Sequence, residues 1–560
     1  MVIKHRLSYF LGLLFLLASC TGPRQLLWDA SNIVSVQVAE QSLASTTDCE
    51  GRFVTHTLPF ATGVRMREIN TYESNGAGLA INDLDGDGLL DIVFASVDRE
   101  ATILWNEGGL KFRPEPLSAR FTRAVNIVDV DGDGLLDIVF THRGLQSVSF
   151  WRNQGEDGPV RFVQEPLAGV TAYAYSMAWA DLNGDGALDL VTGSYNVDLR
   201  QQGVEQPEQD PNAGVYYHER RGDRFEAHLL SPHAEALAIG LVDLDGDGQL
   251  DIWVANDFVV QDQFWLRTQA AAGAEAVIWT ATRPFRQTSH STMSIDWGDL
   301  DNDGKVAFLT TDMNPDDISV ETLAAWLPVI AKLEQPHGTN DPQIMANVLN
   351  VAGGFGGWRN QASPRGIEAT GWSWAGKFGD LDNDGWLDLY IVNGMIAANL
   401  FGHLPNGELI EENRAFRNQG DRSFVPAPAW GLGSTASGRG MMMADLDNDG
   451  DLDIVVNNLR ASAQFFENRL CGGASLQVEL RWPDAQNSYA IGAQLLLRAD
   501  SGVYLRDVRS ASGYLSGDPV RVHFGFPAEA DLETLEIVWP DGAVSQVERP
   551  APQTLLTVMR

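Results

Sequence analysis

The stretch Asp-Leu-Asp-Gly-Asp-Gly-Leu-Leu-Asp at residues 83–91 crowds four carboxylates into nine positions, and a turn of this pattern occurs seven times in the chain. Numbered one to nine, the turns begin at Asp83, Asp129, Asp181, Asp243, Asp299, Asp380 and Asp445. Position three is Asp85, Asp131, Asn183, Asp245, Asp301, Asp382 or Asp447, and position five is Asp87, Asp133, Asp185, Asp247, Asp303, Asp384 or Asp449. Position nine is Asp91, Asp137, Asp189, Asp251, Asp388 or Asp453, with Ala307 in the fifth copy. Glycine, or asparagine in the last three copies, holds position four, and glycine holds position six. Such residues permit the left-handed backbone of a tight wrap.

Each turn is followed by a short apolar run, such as DIVFAS, DLVTGS or DIVVNN, and preceded by a segment of small and apolar residues. Farther on, several units carry an aromatic residue, then Asn and Gly, then Phe, as in LWNEGGLKF (104–112) and FRNQGDRSF (416–424). Asn and Gly between apolar runs signal a hairpin. Each unit therefore reads as four strands with the acidic turn between the first two. Seven such units predict an all-β fold, a seven-bladed β-propeller over residues 51–470, in which blades bury their faces against one another.

Like charges at this density demand a cation. Ca²⁺ takes six to eight hard oxygen ligands in flexible geometry. Side chains at positions one, three, five and nine supply them, and position seven (Leu89, Leu135, Ala187, Gln249, Trp386 or Asp451) adds its carbonyl. An EF-hand would close its shell with Glu at position twelve and carry flanking helices. Here position twelve is Phe94, Phe140, Thr192, Val254, Ile391 or Val456, and the flanks read as strands. Six loops are complete; the fifth, with Ala307 in place of the ninth Asp, is expected to be weak or empty. The repeats resemble the FG-GAP/VCBS calcium-loop repeats of integrin-type propellers.

The seventh unit stops after AQFFENR, one strand short, whereas GRFVTHTL (51–58) reads as a fourth strand with no first three before it. Pairing the two closes the ring. It brings Cys49 beside Cys471 and predicts a disulfide between them. From residue 471 to 560 the acidic turns vanish and short alternating strands describe a small all-β domain. Asn487, AIGAQ (490–494), RSASGYLSGDPVRVHFGF (509–526) and IVWPDG (537–542) resemble the ASPIC/UnbV domain, which follows this kind of propeller in the cartilage acidic protein family and its bacterial counterparts. SWAGKFGDLDNDGWLDLYIVNG (373–394) is similar to the same family's propeller. Gly517 and Phe526 depart from the family's usual residues in the C-terminal loop, which puts a ligand role for that loop in question but leaves the fold. The resemblance implies architecture and no assigned activity.

Residues 1–19 combine a basic start with an apolar stretch too short to span a bilayer and read as a signal peptide. Leu17-Ala18-Ser19-Cys20 resembles a bacterial lipobox, which makes Cys20 the lipidated residue, and Thr21 fits sorting to the outer membrane or cell surface. Residues 20–50 are expected to be a linker. The net charge of −36 excludes nucleic acid, whose phosphates need a basic footprint.

The segment between loops five and six contains DDISVETLAAWLPVIAKLEQPHG, in which Leu323, Leu327 and Ile330 share helical spacing, interrupted by Pro328. Its expected role is packing over a blade. HExxH, GxSxG, P-loop and CxxC patterns do not occur. GLGSTA (431–436) and RGD (221–223) fall where blade loops and a hairpin are expected, and His290 reads as structural. The sequence therefore points to a non-catalytic, lipid-anchored module binding a protein or glycan. A carbohydrate-active enzyme on the same scaffold is the alternative, which a cross-blade cluster of His, Tyr and acidic groups at a channel mouth would favour.

Overall fold

The structure, a computed structural model, describes residues 32–44, 49–155, 160–268, 277–333, 341–353 and 357–560. The expected signal peptide and Cys20 lie outside them. The fold is all-β, as the repeat implies. Seven antiparallel sheets contain the acidic turns, and each runs innermost strand, turn, second strand, then two outer strands; the sixth adds a short strand, Met313–Asn314, beside its innermost one. The innermost strands are Leu79–Asn82, Thr122–Val128, Ser176–Ala180, Ala236–Val242, Ser294–Gly298, Gly371–Gly379 and Gly438–Ala444. Each touches the next, and the last touches the first, so the sheets form a closed β-propeller. These strands are buried along their whole length, and many of their residues are Gly, Ala, Ser and Met, with buried tryptophans such as Trp179 and Trp374 among them.

Register ties the turn to the sheet. Position nine is the first residue of the second strand in all seven units and pairs with the last residue of the innermost strand, as in Asn82 opposite Asp91 and Ala444 opposite Asp453. The acidic turn is therefore a hairpin loop of constant length, and all seven copies open on one face of the ring.

The seventh sheet is completed by Val54–Ala61, which lies antiparallel to Ser462–Glu467 with Val54 opposite Glu467. Phe60 also stacks on Phe94 of the first sheet, with ring centroids 4.5 Å apart. The N-terminal strand thus serves both sides of the seam. Cys49 and Cys471 are joined by a disulfide with their Cα atoms 5.5 Å apart, as the closure argument required.

The C-terminal domain is built on two four-stranded sheets. One of them takes its fourth, edge strand from Gln37–Ser42, which pairs with Thr554–Met559. The expected linker thus contains an edge strand. All six of its residues are exposed, so it is held by backbone hydrogen bonds and carries no apolar alternation to reveal it. The insertion forms a helix, Val320–Leu333, that packs on the ring, but its buried residues are Trp326 and Val329. Leu327, expected on that face, is 56% exposed. The stronger driver is Trp326, whose ring lies 5.5 Å from that of Trp372 and whose Nε1 donates to Glu411 Oε1 at 3.2 Å.

The loop Arg509–Val520 leaves the C-terminal domain and enters the ring. The Val125 amide donates to Leu515 O at 3.3 Å, Gly513 N to Ile295 O at 2.7 Å and Gly517 N to Leu79 O at 3.0 Å. Ser510 Oγ accepts from Trp179 N at 2.8 Å and donates to Trp179 O at 2.7 Å. Lys377 Nζ, buried, lies 2.6 Å from Asp518 Oδ1. A Cβ on Gly517 would fall 2.9 Å from Val125 O, so glycine at this departure from the family pattern is a matter of space.

Cleaving the seam tests the closure. Cys471→Ser should remove a cross-link between residues 422 apart, worth about 4–5 kcal/mol in the chain-entropy account. Denaturant melts of the variant should show a lower midpoint with little change in slope. A midpoint equal to the parent's would show that the cross-link does not stabilise the ring.

Candidate metal centres and the domain seated on them

Each turn is organised by its first and last aspartates. Asp83 accepts the Gly86 amide on Oδ1 at 2.8 Å and the Gly88 amide on Oδ2 at 2.9 Å, which fastens the glycine corner. Gly86 and Gly88 have φ of 75° and 90°, and the asparagines at position four, Asn302, Asn383 and Asn448, have φ of 48°, 53° and 57°. Left-handed backbone is therefore what these positions require.

The ninth aspartate works in two directions. Asp91 Oδ2 accepts the position-two amide of Leu84 at 3.1 Å, and Oδ1 accepts the amide of Asn106, on the third strand, at 2.8 Å. The same pair of bonds recurs for Asp137, Asp189, Asp251, Asp388 and Asp453. The asparagine of the aromatic-Asn-Gly pattern then reaches the neighbouring blade. Asn106 Nδ2 donates to Leu446 O at 2.8 Å, and Asn153, Asn418 and Asn468 reach Leu84 O, Leu300 O and Leu381 O in the same way. Sequence reasoning read this asparagine as a hairpin signal and missed its role as a staple between blades.

Carboxylates at positions one, three and nine converge with ligand atoms within 4.8 Å of one another, as in Asp83, Asp85 and Asp91, in Asp129, Asp131 and Asp137, in Asp243, Asp245 and Asp251, and in Asp380, Asp382 and Asp388. Position five stands outside these triplets, and its carboxylate accepts the position-seven amide, as Asp87 does from Leu89 at 2.8 Å. The donor set fits a hard divalent cation. Oδ1 of Asp382 and of Asp447 are buried without a hydrogen-bond donor, which leaves them free for a metal. Several of these clusters could therefore hold a metal ion.

Burial dominates the protonation of the ninth aspartates. It raises Asp91, Asp137 and Asp189 to about 8 and Asp251 to about 7, from an ordinary 3.8, against the opposing backbone hydrogen bonds. Asp388 and Asp453 are also raised, by burial first and neighbouring carboxylates second. Between pH 4 and 8 the folded metal-free chain thus holds protons that the unfolded chain has released.

The fifth turn solves the charge problem differently. Asp299 keeps its loop bonds, accepting Gly304 N at 2.8 Å. Asp301, at position three, receives a bidentate Arg365 guanidinium at 2.8 and 2.7 Å, with the Arg365 side chain only 4% exposed. Lys305 Nζ lies 2.7 Å from Asp303 Oδ2. Where Ala307 removes the closing ligand, protein cations stand beside the remaining carboxylates.

The C-terminal domain sits on the crown of turns. Ser488 Oγ donates to Asp129, Gln477 Nε2 to Asp445, and Asn487 N to Gly186 O. His523 Nε2 meets Gly450 O at 3.0 Å, and Gly473 N donates to Asp382 O at 3.2 Å. A Cβ on Gly525 would fall 2.3 Å from Asp380 Oδ2. The sequence carried no sign of this docking, because its residues are ordinary polar and small side chains whose role appears only across domains. At the opposite mouth, Tyr195 donates to Asp257 at 2.6 Å beside Tyr175, with Glu235 adding to the local negative charge. His290 is buried at 2% exposure and its backbone amide donates to Asp312. RGD occupies the hairpin Arg221–Arg224, as expected.

The fold and its loops thus define a β-propeller of metal-loop repeats that carries its own plug. Comparison agrees. An FG-GAP-like repeat model matches residues 83–140, 129–192, 243–310 and 404–456, and an ASPIC and UnbV model matches 483–560. The chain carries FG-GAP-like repeats and an ASPIC and UnbV domain and shows distant homology to cartilage acidic protein 1. It is 28% identical to the Homo sapiens protein over 173 residues, which is 29% of this chain and 24% of that one. The Xenopus tropicalis protein is 28% identical over 176 residues, 30% and 25% of the two chains. The chain spans about a quarter of the length of these curated relatives. Among solved structures, an Agrocybe aegerita lectin that recognises non-reducing terminal N-acetylglucosamine is 15% identical with a TM-score of 0.37, covering 68% of this chain and 88% of its own. The rhamnogalacturonan lyase of Bacillus licheniformis is 13% identical with a TM-score of 0.34, covering 75% and 76%.

Two outcomes follow. Because the folded state binds the extra protons, stability in chelator should fall as pH rises from about 5 to 8, and a divalent cation should restore it most at the upper end. Calorimetric melts across that range, with and without chelator, check this; a flat chelator profile would contradict it. Separately, Arg365→Gln should cost about 2 kcal/mol by removing the bidentate partner of Asp301 and leaving it only Arg422 at 3.4 Å. Adding Ala307→Asp should recover part of that loss only when the cation is present, with one more ion per chain by elemental analysis.

Proposed function

We propose that the protein is an exported, lipid-anchored β-propeller, stabilised by Ca²⁺ in six turns, that binds a protein or glycan ligand without catalysis. The observation that carries this reading is the plug: Arg509–Val520 fills the middle of the ring, where a propeller enzyme would gather reacting groups from several blades. The open concave surface is instead a cleft of about 1090 Å³ between turns four to six and the C-terminal domain. Calcium is the cation that best matches an all-oxygen donor set in irregular loops. The disulfide supports an oxidising compartment, and among the described residues no helix is long and apolar enough to cross a membrane. The anchor rests on the Leu17–Cys20 pattern, and sorting to the outer membrane or cell surface on Thr21.

The second reading, a carbohydrate-active enzyme, draws on the Tyr195–Asp257 pair and its neighbours. Tyr195, Asp257 and Glu235 are 2%, 4% and 2% exposed, which leaves them no face for a polymer. A pull-down from cell envelope combined with a glycan array should yield a bound partner and no released product; turnover of a glycan, lost in Asp257→Asn, would favour the enzyme. Cys20→Ser should move the protein from the membrane to the soluble fraction or leave it unprocessed. An unchanged distribution would refute the anchor.

A further inference from the structure

The interdomain cleft carries charges of both signs on each wall. Turn four presents Asp245 and Asp247, both exposed, on the propeller side. The C-terminal domain presents Arg506 and Arg509. Arg509 is spent within the protein: it pairs with Asp296 at 2.8 Å and Asp507 at 2.5 Å and lies over the Trp297 ring at 4.2 Å. Arg506 is held less firmly: its guanidinium lies over the Phe524 ring at 5.6 Å, its one hydrogen bond among the described residues runs from Nη1 to the carbonyl of the adjacent Leu505 at 2.9 Å, and Nη2 is buried without an acceptor. Asp299 and Asp380 of turns five and six are close enough to act on it electrostatically, yet neither forms an ion pair with it. A guanidinium in this setting costs stability unless an anion meets it.

We infer that the cleft binds an acidic oligosaccharide, a chain of uronic-acid type, with a ring carboxylate at Arg506 and hydroxyls toward turn four. This deepens the binding reading above and rests on it. A sugar acid combines the two chemistries the walls need, a carboxylate for the guanidinium and a row of hydroxyl donors for carboxylates. An acidic peptide offers the first but lacks the second, having no row of hydroxyl donors. Trp358, half-buried on the same cleft, adds an aromatic surface against which sugar C–H faces pack. The volume, about 1090 Å³, suits several sugar units and exceeds what a free inorganic anion would need.

The test is calorimetric titration of the full chain, in calcium buffer, with oligogalacturonate, its methyl ester and oligoglutamate. Oligogalacturonate should bind, its methyl ester at least about tenfold more weakly, since a charged hydrogen bond is lost. Arg506→Ala should lose about tenfold toward the acid and nothing toward the ester, with a ligand-free melting temperature no lower than the parent's. Should R506A fail to fold, the ester comparison on the parent protein carries the same information. Equal binding of acid and ester, binding of oligoglutamate alone, or no binding of oligogalacturonate overturns the proposal. If a neutral glycan or an envelope protein is captured instead, the binding reading survives and only the acidic-sugar assignment fails.

Discussion

The fold hangs on a buried aspartate that accepts two backbone amides. At position nine of each complete turn, one oxygen holds the start of the hairpin loop and the other holds the third strand of the same sheet. Each oxygen of the carboxyl group serves one of the two amides. The charge is expensive to bury: burial keeps Asp91 protonated up to about pH 8, a divalent cation would meet the charge above that, and the fifth turn, with Ala307 at this position, carries no such charge. Sheet geometry, loop geometry and ion demand are one requirement expressed three times.

That requirement also orients the molecule. All seven turns open on one face, so charge accumulates there, and that is the face the C-terminal domain covers. Its contacts are made with turn carbonyls and carboxylates through Ser488, Gln477, His523 and Gln553. The domain then sends Arg509–Val520 into the ring, where Ser510, Gly513, Leu515 and Gly517 hydrogen-bond to the innermost strands much as another strand would. Ring and cap therefore share one core, with Tyr514 packed on Trp374 at 5.2 Å between ring centroids.

Much of this was legible in the sequence because it repeats. The turn, the strand after it and the aromatic-Asn-Gly pattern could be aligned against their own copies, and the missing strand at the seventh unit told where the N-terminal segment had to go. What occurs once was illegible. Gln37–Ser42 is a strand with no buried side chain, the helix face was misassigned because a single tryptophan outweighs three aliphatic residues, and Gly517 seems an arbitrary departure until the channel wall beside it is seen. Arg365 lies 64 residues from the aspartate it serves, in a turn with no repeat signature.

The pairing of Gln37–Ser42 with Thr554–Met559 has a consequence for how such a chain is made. Gln37–Ser42 finds its partner more than five hundred residues further on, and Val54–Ala61 finds its own some four hundred residues further on, in the seventh sheet. Neither the ring nor the cap can be finished until those distant strands have been made. Until then both N-terminal strands have their edges open to wrong pairing. Each of the two strands thus waits for a different domain, and completes it only when its distant partner is in place.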